Sequence, residues 1–89
     1  MKSYLVACDL NRPGRHYPEL DAAIEQFPLR WHHLDACWIV KTEWSLKQVR
    51  DHLKPYLDAT DELLVLELTG EGAWSGFNDE AIAWLSEHL

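Results

Sequence analysis

The sequence predicts an α+β fold: a β-α-β-β-α-β sandwich followed by an added C-terminal strand and helix. Three observations carry this expectation. Residues 3–9, SYLVACD, alternate in the period of a half-buried strand. Two later segments repeat apolar residues in the helical period between recognisable start and stop residues. A four-residue apolar run at 63–66, LLVL, reads as a strand buried on both faces.

In chain order, Tyr4, Val6 and Cys8 fall on one face of the first strand, with Leu5, Ala7 and Asp9 on the other. Pro18 suits the first turn of a helix, Glu19 and Asp21 favour its positive end, and Leu20, Ala23, Ile24 and Phe27 form its stripe. Pro28 stops it. Residues 29–42, LRWHHLDACWIVKT, are long for one strand and divide into two around Leu34 and Asp35. Ser45 with Gln48 makes a capping box, Trp44 is placed to staple on Val49, and Leu46, Val49 and Leu53 line a second helix that Pro55 ends. The run DELLVLELTG supplies the next strand. Residues 73–77, AWSGF, read as a short edge strand, and Asn78 caps a last helix with Ile82, Leu85 and Leu89 on one face.

This order is the ferredoxin-like pattern, with two helices on one sheet face. One ferredoxin-like domain spans residues 1–89, its core at about 3–68 and its extension at about 70–89. The other sheet face also carries apolar residues, so the C-terminal addition and a second subunit are expected to cover it. A chain of 89 residues is near the small end of what buries a sufficient core without disulfides or metal, which again favours a homodimer.

Composition narrows the function. The net charge is −7, yet residues 1–60 balance eight basic against eight acidic side chains, whereas residues 61–89 hold seven acids and no Lys or Arg. That section repels phosphate and disfavours broad nucleic-acid binding. No apolar run approaches a membrane span, and the start MKSYLVACDL meets charge before a signal-peptide core can form, so a cytoplasmic protein with no membrane partner is expected. Cys8 and Cys37 read as reduced core residues.

The chemistry-bearing stretch is CDLNRPGRHYP, residues 8–18. Asp9 ends a strand, and Asn11, Arg12, Arg15 and His16 follow within eight positions. Mg²⁺ or Mn²⁺ takes oxygen ligands, commonly one or two carboxylates with water and substrate phosphate, so Asp9 is the candidate metal ligand and symmetry supplies the second carboxylate. Arg12 and Arg15 suit bidentate phosphate contacts, Asn11 can orient a water, and His16 can donate a proton. The alternative is an Asx turn with a solvated loop and an Asp9–arginine ion pair. His32 and His33, adjacent on a strand, point to opposite faces and cannot share a metal. Asp35 and Cys37 approach Asp9 only if the hairpin register allows. Trp31, Trp38, Trp44, Trp74 and Trp84 read as core or interface residues, since no basic groove accompanies them.

A first strand ending in Asp, a basic loop, the hairpin WHHLDACWIV and the strand ATDELLVLEL resemble the CRISPR-associated adaptation protein Cas two, and in the same respects the virulence-associated protein D toxins. The wording YLVACDLNRPG, WHHLDACWIVKT and LTGEGAWSGF is closer to small bacterial proteins labelled the SinR family. The resemblance covers roughly residues 3–70. It implies a homodimer of ferredoxin-like protomers in which Asp9 of each subunit faces its partner across the axis and the pair holds a divalent metal for phosphodiester cleavage of RNA or DNA. Many members of that family act instead as scaffolds, so a non-catalytic homodimeric module is the second expectation.

Overall fold

The computed structural model describes residues 1–9, 18–34 and 37–89. Its elements are β1 (Lys2–Asp9), α1 (Pro18–Glu25), β2 (Leu29–Leu34), β3 (Cys37–Thr42), α2 (Leu46–Leu53), a 3-10 turn (Lys54–Tyr56), β4 (Glu62–Glu67) and α3 (Asp79–His88). The four strands form one antiparallel sheet in the order β2-β3-β1-β4. β1 is therefore central, paired with β3 on one side and β4 on the other.

The alternation in β1 sorts the sheet into two faces. Tyr4, Val6 and Cys8 are buried with Trp38 and Val40 of β3; α1 and α2 close over them with Leu20, Ala23, Ile24, Val49 and Leu53, joined by Phe27 from the turn after α1. Tyr4 is fully buried because its hydroxyl is satisfied: it donates to the Trp44 carbonyl at 2.6 Å. The capping box at α2 forms as the sequence predicts, Gln48 N–H donating to Ser45 Oγ at 3.2 Å and Ser45 N–H to Gln48 Oε1 at 2.8 Å. Trp44 lies edge-on to Phe27 and His52, with centroids 5.5 and 5.0 Å away.

On the second face a smaller cluster joins Trp31 and Ile39 to Ala81 and Leu85 of α3, with Leu5, Leu68, Phe77, Trp84 and Leu89 packed around it. Asn78 caps α3, its Oδ1 accepting from Ala81 N–H at 2.8 Å. The C-terminal helix thus covers part of this face, as expected.

Three expectations need correction. Residues 73–77 form no strand: Gly76 sits at φ +82°, in the left-handed region, which interrupts extended backbone where the strand was to run. The buried positions of α3 are Ala81 and Leu85, while Ile82 is only half-buried, because the helix lies with its Ala81 side down on the sheet. β4 is not buried on both faces. It occupies a sheet edge, and Leu64 and Leu66 are 50% and 47% exposed on the face that α3 leaves open.

Candidate functional site

β1 carries Asp9 to the end of the central strand, where the side chain is exposed. The antiparallel register with β4 sets Glu62 directly opposite. Directly opposed residues on antiparallel strands share a face with Cβ atoms about 4.5–5.5 Å apart. Two carboxylates therefore stand side by side within one protomer, around a shallow depression lined also by Ala7, Cys8, Leu63 and Leu64. Hard divalent cations bind such oxygen donors, completing their octahedron with water and phosphate oxygens. The donor set fits Mg²⁺ or Mn²⁺ as a pair of ligands; among the described residues no group of three or more His, Cys, Asp or Glu side chains is arranged to hold a metal.

Asn11, Arg12, Arg15 and His16, the other residues singled out from sequence, lie outside the described residues, as does Asp35. Cys37 pairs with Ala7, which places it on the neighbouring strand, two residues short of Asp9 along β1. His32 and His33 do point to opposite faces. His32 stacks on Trp38 at 4.4 Å between centroids, and His33 lies against Phe77 at 4.9 Å.

Glu62 is the residue that sequence reasoning missed. Its signal was present in the acidic start of the strand DELLVLEL. Reading it required knowing that β4 runs antiparallel beside β1, so that the first residue of one strand meets the last of the other.

The thiols near this end are not nucleophiles at neutral pH. Burial, then the Asp61 carboxylate and the Cys37 thiol, push Cys8 up to about 11, and burial also raises Cys37. The fold thus accommodates the protonated Cys8 thiol. Stability is full below the ordinary thiol value of 9.0 and falls as pH rises through about 11, a loss on the order of 2 kcal/mol. Denaturant melts of wild type and Cys8→Ala from pH 7 to 11 check this: the difference between the two curves is expected to carry the alkaline slope, and parallel curves would contradict it.

Among the described residues no helix is long and apolar enough to cross a membrane. No family model, curated protein or solved structure matches this chain.

Proposed function

We propose that the chain is a metal-dependent endonuclease of the Cas-two type, acting on RNA or DNA as a homodimer with a ferredoxin-like protomer. One observation carries the reading: the exposed Asp9 at the end of the central strand has Glu62 opposite it in register. The all-antiparallel order β2-β3-β1-β4, alternating with α1 and α2 in sequence, supports the ferredoxin-like assignment.

In this reading Asp9 and Glu62 hold Mg²⁺ or Mn²⁺. A bound divalent cation supplies charge neutralisation at the scissile phosphate and an acidified water. Arg12 and Arg15 grip the flanking phosphates, Asn11 orients the water, and His16 gives a proton to the leaving oxygen. The open sheet face supports the dimer in this reading, since Leu64 and Leu66 leave apolar surface for a second copy to cover.

The same surface favours a second reading, a non-catalytic homodimeric scaffold. The net charge of −7 supports it too, because an acidic surface repels phosphate. A cleavage assay of purified protein on single- and double-stranded RNA and DNA separates the two, with Mg²⁺, Mn²⁺ or chelator present. Cleavage is expected to require the metal and to fall on the order of 100-fold or more in Asp9→Asn, the scale of losing a charge-stabilising group at the reacting centre. Equal cleavage by wild type and Asp9→Asn would remove the nuclease reading and leave the scaffold.

A further inference from the structure

A pocket of about 340 Å³ lies between the turn after α1, the end of β3 and the last turn of α2. Because Thr42 in its lining pairs with Lys2 at the start of β1, it sits at the opposite end of the sheet from Asp9. Three of its lining side chains are aromatic rings from three separate segments: Phe27, Trp44 and His52. We propose that it holds the head group of a methylated ammonium compound among these rings.

The geometry of the rings comes first. Their centroids lie 5.5 Å (Phe27–Trp44), 5.8 Å (Phe27–His52) and 5.0 Å (Trp44–His52) apart, and the planes cross at 76°, 80° and 76°. Rings so crossed do not stack on one another. Near-perpendicular rings bordering one small space suit a rounded cation, because a ring's quadrupole attracts positive charge over its face within about 6 Å of the centroid. Phe27 is 4% exposed and forms the buried side, whereas Trp44 is 39% exposed and reaches solvent. Trp44 is nonetheless anchored at its backbone: its N–H donates to Thr42 Oγ1 at 3.2 Å, and its carbonyl accepts from the Tyr4 hydroxyl at 2.6 Å. A large exposed ring fixed in this way is ill explained by core packing and lowers the ordering cost of binding.

The charges around the pocket favour a cation. Its lining contains no Lys or Arg. Glu43 borders it with a side chain 82% exposed, and Oε1 already draws one ammonium, the N-terminus of the chain, to 3.6 Å. α1 ends here with no basic residue in its last turn, so its own side chains leave the negative end of the helix dipole uncompensated. His52 Nε2 is buried and has no hydrogen-bond partner among the described residues. With the ring proton on Nδ1 it is a lone pair, which a nearby positive charge stabilises without an N–H donor. The net charge of −7 raises the local concentration of cations. An anion finds no counter-charge in this lining, and a neutral apolar ligand makes no use of Glu43. A bare lysine ammonium carries three strong donors that rings do not satisfy, whereas methylation replaces donors with methyl groups that pack on aromatic walls.

The inference is independent of the Asp9 reading, since neither divalent metal nor nucleic acid enters its test. At pH 8, where free imidazole is uncharged, the full chain is titrated with choline and with 3,3-dimethylbutan-1-ol, its neutral carbon isostere. The Trp44 indole and His52 ring resonances are followed by NMR. Saturable shifts of both are expected with choline at millimolar concentration. The isostere has the same shape without the charge, so it is expected to bind roughly tenfold more weakly or worse. Trp44→Ala is expected to weaken choline binding roughly tenfold, and Trp44→Phe to recover part of the loss by restoring a ring. A peptide carrying trimethyl-lysine, titrated alongside, separates the sources: tighter binding than choline assigns the head group to a modified protein, weaker binding to a small molecule. Equal affinity for choline and its isostere would reduce the pocket to apolar filling and overturn the proposal. No saturation with either choline or the peptide, or unchanged affinity in Trp44→Ala, would overturn it as well. The comparison of choline with its isostere uses the wild-type chain, so it decides even where a Trp44 variant loses stability.

Discussion

Replacing Leu53 by alanine is expected to cost about 3 kcal/mol of folding stability, within the 2–5 kcal/mol range of buried Leu→Ala changes. The side chain is fully buried at the end of α2, in one cluster with Tyr4, Val6, Val40 and Val49. The loss combines transfer of the side chain with the cavity that helix and sheet fail to close. Small domains hold about 0.05–0.15 kcal/mol per residue in total, so this is a large share of what an 89-residue chain has. At about 4–8 °C per kcal/mol, Tm should fall by roughly 12–25 °C, with the urea midpoint lowered and the slope unchanged. A loss under about 1 kcal/mol would mean that the core repacks freely around this position. Leu66→Ala is the informative contrast. In an isolated protomer this half-exposed edge position should cost far less, within about 1 kcal/mol. A larger loss that grows on dilution would place Leu66 inside a dimer interface, because dissociation then couples to unfolding.

The second large effect concerns Asp9 and divalent metal. Without metal, Asp9→Asn and Glu62→Gln are each expected to leave stability unchanged or slightly raised, since like charges directly opposite on paired strands repel. With Mn²⁺ at about 100 times its dissociation constant, wild type should gain about 2.7 kcal/mol by mass action. Neither variant should gain comparably. Thermal melts with Mn²⁺ and with chelator test this. A metal-independent loss of stability in Asp9→Asn would instead identify Asp9 as a structural strand end, paired as an ion pair worth about 1 kcal/mol or less when exposed.

Local chemistry was legible where the information is local. Ser45 and Gln48 announce the start of α2, and Asn78 that of α3, because a cap needs only residues three apart. Tyr4, Val6 and Cys8 announce the buried face of β1, since the pleat alone decides which side chains share a side. The hairpin divided where expected, with Leu34 opposite Cys37. The strand expected at 73–77 failed for an equally local reason: a glycine that the alternation treats as neutral takes up positive φ.

By itself, then, the sequence determined the order and kind of the principal elements, their caps, and the face of the sheet that α1 and α2 close. It also singled out Asp9 as the carboxylate that ends a strand. Only the tertiary structure decided what Asp9 meets, because the partner of a strand residue depends on strand order and register, which no short window of sequence contains. Antiparallel pairing brought Glu62 to Asp9, and edge placement left Leu64 and Leu66 half in solvent. The docking of α3 on the second face set Ala81 and Leu85 against Trp31 and Ile39, a contact between segments some fifty residues apart that no local pattern contains. Contacts between distant segments form only when the whole chain trades its conformational entropy for packing, so their geometry belongs to the fold and not to any one element.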